Sequence, residues 1–228
     1  MIKTFDRVLA NPPFSLKSWG YNEWKGGDKF GRDTYGCPPQ SYGDLAFVQH
    51  MVASLKPDGV LGVVLSHGIL SRGGAEGKIR KGLLENDLIE AVIGLAPNLF
   101  YGAGVSACIL IINRNKTEAQ KGKVLFVNGS DEFEQGKKQN FLSEVNVEHL
   151  KEAFIAYNNK ERLSRVVDLP EIVSNDYNLS ITRYVDLGKP EETINVSEEV
   201  QKLQQLLQDS DKAQSKMMNC LKELGYGS

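Results

Sequence analysis

The tetrapeptide Asn11-Pro12-Pro13-Phe14 follows directly on the short apolar run Phe5-Asp6-Arg7-Val8-Leu9-Ala10. An amide, two prolines and an aromatic ring at the mouth of a strand can grip a flat group that carries an amine. The side-chain oxygen of Asn11 and the carbonyl of Pro12 both accept hydrogen bonds, and the proline rings lock the backbone so that a carbonyl can point into a site. If the two protons of the amine are drawn toward these acceptors, its lone pair is left directed out of the ring plane. A poor nucleophile is then usable for attack on an electrophilic methyl group. Phe14 can stack on the flat face, a contact worth about 1–3 kcal/mol, comparable to the few kcal/mol needed to extrude a base from a duplex. Asn-Pro-Pro also serves as a plain strand terminator, but its position at a strand end favours the chemical role.

Weaker candidates lie further along. Gly73 and Gly74 precede a helical pattern and are flanked by Arg72, Lys78 and Arg80, so free backbone N–H groups and cations could seat a DNA phosphate or another anion. A glycine turn required by chain geometry explains the pair equally well. His67 closes the second strand and faces the same edge; a lone histidine is commonly structural, and His50 and His149 have less claim. Residues 15 to 41 carry Trp19, Trp24 and Tyr35 among glycines, lysines and prolines, the composition of a long loop that holds DNA, closes over a base, or covers apolar surface. Cys37, Cys108 and Cys220 form no C-x-x-C pair, so neither a disulfide framework nor a metal site is expected.

These residues need a scaffold, and the hydrophobic pattern supplies one. Phe5 to Ala10 reads as a buried strand. A helix is expected over about 42 to 56, stopped by Pro57-Asp58-Gly59, and Val60 to Leu65 is a continuous apolar run suited to a parallel strand covered on both faces. A second helix opens at Gly73-Gly74 and runs to about Glu85. Strands follow at Leu88 to Leu95 and Val105 to Asn113, with a link too short for a crossover helix, so this last pair should be antiparallel. A further strand is expected at Val124 to Asn128, a short helix at 145 to 158, and irregular or strand structure over 163 to 186. The fold class is therefore α/β: the second half of a doubly wound sheet, mostly parallel, with an antiparallel last strand pair. Residues 1–188 form its body and 189–228 a linker and C-terminal helical tail. In that tail the heptad seam Val200, Leu203, Leu207, Ser210, Gln214, Met217, Leu221, Leu224 is apolar at both ends, ready to pack on its own domain or on another chain.

Bulk properties narrow the classes. The 228 residues are 41% hydrophobic and 25% charged, a composition able to bury one substantial core. A net charge of -2 gives no bulk positive field, so any nucleic-acid substrate would need a partner or a further segment for much of its phosphate grip. No signal-peptide pattern or membrane-spanning run is present, and a reducing, cytoplasmic setting is expected; the sequons at Asn128, Asn178 and Asn195 are then incidental.

Several segments together resemble the modification subunit of type I restriction-modification systems. They are Phe-Asp-Arg-Val-Leu-Ala-Asn-Pro-Pro-Phe at 5 to 14, Gly-Asp-Leu-Ala-Phe-Val-Gln-His at 43 to 50, Ser-Arg-Gly-Gly-Ala-Glu-Gly-Lys-Ile-Arg at 71 to 80, Ile-Glu-Ala-Val-Ile-Gly-Leu at 89 to 95, and Asn-Asp-Tyr-Asn-Leu-Ser-Ile-Thr-Arg-Tyr at 175 to 184. The resemblance implies a class I methyltransferase-like sheet and an adenine-N6 DNA methyltransferase using S-adenosylmethionine. It maps the catalytic motif onto Asn11, Pro12, Pro13 and Phe14, and implies DNA, a specificity subunit and a restriction subunit as partners. In that family a glycine-rich cofactor fingerprint, an acidic ribose-binding residue and a helical domain precede this motif. The sequence shows none of them, and Gly102-Ala103-Gly104 precedes a strand instead of opening a helix. The expectation is a carboxyl-terminal fragment without turnover of its own, with Phe5 to Ala10 as an exposed edge prone to self-association. A non-catalytic segment that docks on a specificity or restriction subunit is the alternative. Methylation of cytosine N4 or of a protein glutamine amide would use the same chemistry.

Overall fold

The computed structural model describes residues 2–100, 106–186 and 196–224, which divide into two units, 1–187 and 188–228. In the first, the elements run β1 (Phe5–Ala10), α1 (Tyr21–Lys25), α2 (Asp44–Ala53), β2 (Leu55–Ser66), a 3-10 turn (His67–Leu70), α3 (Gly74–Glu85), β3 (Ile89–Gly94), β4 (Ala107–Asn113) and β5 (Lys123–Val127). The short hairpin β6 (Glu134–Gln135) and β7 (Asn140–Phe141), then α4 (Glu144–Ala156), β8 (Ser164–Asp168) and α5 (Leu169–Ser174), complete it. The second unit contains α6 (Val196–Glu223). The G-x-G run at 102–104 and residues 189–195 of the expected linker lie outside the described residues.

The six-stranded sheet has the order β1-β2-β4-β3-β5-β8. β1 and β2 are parallel, as are β3 and β5; β4 is antiparallel to both β2 and β3 because it inserts between them. The antiparallel pair expected from the short β3–β4 link is thus present, and the returning strand also closes against β2. β8 adds an antiparallel edge on β5, in a segment whose pattern left strand or irregular structure open.

One boundary differs from the sequence expectation. Pro57-Asp58-Gly59 lies within β2 and does not follow α2, which ends at Ala53. Phe5 stands opposite Leu55 and Arg7 opposite Val60, so these breaker residues form a bulge. A proline without an N–H is tolerated at such a place because the ladder is already interrupted there.

Two apolar layers flank the sheet. On one face Leu61, Val63, Leu65, Leu110, Ile112 and Phe126 pack against α2 and α3 side chains such as Val48, Ile79 and Leu83, all fully or nearly fully buried. On the other, Ala91, Ile93, Leu125 and Val127 pack against Leu150 and Ala153 of α4. Helix α4 opens with a capping box: the Ser143 hydroxyl accepts from the Asn146 N–H and the Asn146 side chain accepts from the Ser143 N–H. Among the described residues β1 pairs only with β2, and it carries Phe5 at 49% and Leu9 at 85% exposure. Leu9 lies over Gly62, where a Cβ would come within 3.1 Å of its Cδ2.

Candidate active site at the carboxyl end of β1

Ala10 stands opposite Val63, so Asn11 leaves the sheet beside the carboxyl end of β2. Open α/β sheets bind ligands at this end of their strands, where side chains escape the packed layers. Asn11 and Pro13 are exposed, Pro12 and Phe14 half-buried. The Asn11 amide makes no side-chain hydrogen bond among the described residues, which leaves its oxygen open to a ligand donor. Phe14 meets Phe100 edge-on, with ring centroids 5.4 Å apart and planes at 74°. Phe100 comes from the link between β3 and β4, so the motif's own ring is met by one from a distant part of the chain. Sequence reasoning missed Phe100: the only cue was Asn-Leu-Phe at 98–100 just after a strand.

The chain turns sharply after Phe14. Ser15 takes φ 52°, the left-handed region that costs a residue with a Cβ about 1–2 kcal/mol. Its N–H donates to Asp44 Oδ1 at 3.1 Å, and the Gly43 N–H donates to the Leu16 carbonyl at 3.0 Å, tying the loop to the start of α2. Gly43 is needed here, because a Cβ would stand 2.7 Å from Trp19. Asp44 is fully buried. Arg72 lies 3.7 Å from its Oδ2, gives Nε and Nη2 to Glu76 at 2.7 and 3.1 Å, and stacks over the Tyr42 ring at 4.2 Å. Burial raises the Glu76 carboxyl above its ordinary value, against the pull of Arg72.

His67 follows the end of β2, and burial lowers its pKa, which favours the neutral ring. Its Nε2, Ser66 Oγ and Asp44 Oδ2 are buried without hydrogen-bond partners. His67 lines a separate cavity of about 300 Å³ with Asn128, Ser130 and Thr182.

The five residues of the expected anion seat have different fates. Arg80 is buried and holds three carbonyls: Nε donates to Tyr177 at 2.7 Å, and Nη1 to Ile69 and Arg72 at 2.9 Å each. Arg72 is engaged with Glu76 as above. Gly73, Gly74 and Lys78 are exposed and border a cleft of about 430 Å³ together with Arg80, Lys81 and Arg183. The aromatic loop packs inward: Trp24 is buried, Trp19 meets it at 5.6 Å, and Tyr35 lies against α3 where a Cβ on Gly82 would stand 2.5 Å from its ring. A cavity of about 690 Å³ lies beside this loop and Ala53 and Arg114, at the other end of α2 from the motif.

A doubly wound sheet with an antiparallel strand inserted between its β1-β2 and β3-β5 parallel pairs, and the Asn-Pro-Pro-Phe run at the carboxyl end of β1, define a methyltransferase-like α/β fold. The profile of the N-6 DNA methylase family matches residues 1–193, and the chain belongs to that family. It is 37% identical over 206 residues to the methylase subunit of the type I restriction enzyme MjaVIII of Methanocaldococcus jannaschii, covering 88% of this chain and 35% of the relative. It is 30% identical over 237 residues to the HindI methylase subunit of Haemophilus influenzae, covering 98% of this chain and 52% of the relative. The crystal structure of a type I restriction-modification methyltransferase subunit from Streptococcus thermophilus superposes with a TM-score of 0.71 at 38% identity, over 81% of this chain and 39% of that one. The chain thus spans about a third to a half of the length of these relatives. Among the described residues no helix is long and apolar enough to cross a membrane, and no metal-binding cluster is present.

Proposed function

We propose that this chain supplies the base-holding half of a DNA adenine-N6 methyltransferase that uses S-adenosylmethionine. The observation that carries this reading is the placement of Asn11-Pro12-Pro13-Phe14 at the carboxyl end of β1, with the Asn11 amide open and Phe14 and Phe100 side by side. In this reading the Asn11 oxygen and Pro12 carbonyl accept the two protons of the adenine amine, and Phe14 stacks on the extruded base. The donor supplies an electrophilic methyl group. Its binding residues are assigned to no part of this chain, because the G-x-G run at 102–104 stands ahead of a strand.

DNA phosphate is assigned to Gly73, Gly74 and Lys78, with Arg72 and Arg80 shaping the seat from behind. Residues 1–188 serve as the methyltransferase portion and 189–228 as a tail for a specificity or restriction subunit, in the cytoplasm. The exposed β1 edge favours pairing with another strand or a second copy. Transfer of labelled methyl groups by a complex containing this chain tests the reading: label on adenine N6 supports it, and label on DNA without adenine, or on protein, overturns the adenine assignment. Micromolar binding of S-adenosylmethionine to the isolated chain by titration calorimetry would refute a missing donor half. The non-catalytic alternative draws on α6, whose apolar seam fits a partner helix; it predicts partner binding that survives Asn11→Ala together with methylation that is also unchanged.

A further inference from the structure

The proline rings fix the tetrapeptide's local backbone but not its direction, since Asn11 and Pro13 are exposed and the turn that follows is in a conformation side chains avoid. Something else must set it, and one buried group touches that turn. Asp44 is the first residue of α2, wholly inaccessible to solvent, and its Oδ1 accepts the Ser15 N–H at 3.1 Å. We propose that Asp44 is a positioning residue whose carboxylate, balanced by Arg72, fixes the turn after Phe14 and so aims the Asn-Pro-Pro-Phe motif. This rests on the reading of that motif as the base grip.

Three features separate this from an ordinary helix start. The residue before the helix is Gly43, which offers no side-chain cap, and Asp44 directs an oxygen across to the loop instead. A carboxylate buried to this extent is costly unless balanced. Its balance is incomplete: Arg72 is 3.7 Å away with two donors already on Glu76, and Oδ2 has no hydrogen-bond partner. The positive end of α2 and the Ser15 N–H supply the rest. Packing alone would be served by a neutral residue in this place. A charged acceptor makes the Ser15 bond stronger than a neutral one would, and it acts where the backbone is strained.

The test is made on the isolated chain by amide NMR and needs no catalysis. In Asp44→Ala the Ser15 amide proton should lose its downfield shift and exchange about 10- to 100-fold faster, the loss of one hydrogen bond to a charged group. Core amides such as Leu110 should report a smaller change. The contact between the Phe14 and Phe100 rings should disappear from the nuclear Overhauser spectrum. Asp44→Asn, which keeps an acceptor of the same reach without the charge, should restore the ring contact and recover part of the Ser15 shift and protection. Should the alanine variant fail to fold, Asp44→Ser, whose oxygen is too short to reach Ser15, replaces it. Ser15 and the ring contact unchanged in either truncation, Ser15 and core amides weakening equally, or no recovery of either signal in Asp44→Asn would each overturn the proposal. Absence of adenine methylation by the wild-type complex, with these spectra as expected, would instead overturn the base-holding reading and leave Asp44 as the fixer of the turn.

Discussion

Replacing Arg80 by Leu should destabilise the fold by about 3–5 kcal/mol while leaving any intrinsic phosphate contact almost untouched. The side chain is 4% exposed, and its guanidinium closes three backbone carbonyls, on Ile69, Arg72 and Tyr177. Each carbonyl left unmatched and buried costs about 1–3 kcal/mol, so three give a gross loss of roughly 3–9 kcal/mol. Part of that returns, because burying the guanidinium is itself unfavourable, as its lowered pKa reflects. The Tyr177 and Arg72 contacts are only part-buried, so water can reach those carbonyls and reduce the loss further. A net 3–5 kcal/mol is a large share of the roughly 5–15 kcal/mol that holds a domain together. Urea unfolding followed by circular dichroism checks it, with ΔΔG read from the midpoint at constant slope. A loss below about 1 kcal/mol would refute the view of Arg80 as a buried hub. A changed salt dependence of DNA binding at unchanged stability would show instead that Arg80 reaches phosphate directly.

Lys78 is the converse case: Lys78→Ala should leave stability within about 0.5 kcal/mol and lower the slope of log affinity against log salt by about one in a DNA-binding complex. Phe14→Ala and Phe100→Ala, combined in a double-mutant cycle on thermal unfolding, should show a coupling of about 0.5–1.5 kcal/mol for the edge-on pair; additivity would mean the rings do not meet. Gly43→Ala pushes a methyl group to 2.7 Å from Trp19 and should cost about 1–3 kcal/mol with a shift in tryptophan emission. Asp28 is held far below the usual aspartate value, first by its hydrogen bonds from the Arg32 side chain and also by the N–H groups of Arg32 and Phe30. That interaction is fully present above the unfolded value of about 3.9 and is lost as pH falls toward the folded one. Wild type and Asp28→Asn should therefore differ in stability at pH 7, and the difference should start to shrink only as pH falls below about 3.9, as read by denaturation midpoints.

Much of the scaffold was legible because its signals are local. Val60 to Leu65 reads as a strand from its continuous apolar run, and the short link after Leu95 is enough to demand an antiparallel return. The bulge in β2 escaped because Pro57-Asp58-Gly59 is also a good helix stop; only the pairing of Phe5 with Leu55 distinguishes the two. Trp19, Trp24 and Tyr35 looked equally suited to ligand or core. What decides for core is Gly43 and Gly82, whose missing side chains leave room for the rings.

The site divides along the same line. The chemistry proposed for Asn11 to Phe14 rests on residue types at consecutive positions, so the proposal can be made without a structure. Phe100 and Asp44 act only through contacts made after folding, one across the sheet edge and one across the turn. Arg72 and Arg80 show the reverse: two cations beside a glycine pair invite a phosphate, yet each is already engaged, with Glu76 and with three carbonyls respectively. Charge counted along the sequence therefore overstates the positive field available to a ligand at α3. Of those three basic residues Lys78 remains exposed there, in keeping with a chain that carries a net charge of -2. In the proposed role, a chain with this surface gains phosphate contacts from cations on a partner, so binding of DNA by this chain alone should be weak and should strengthen in complex with a basic partner.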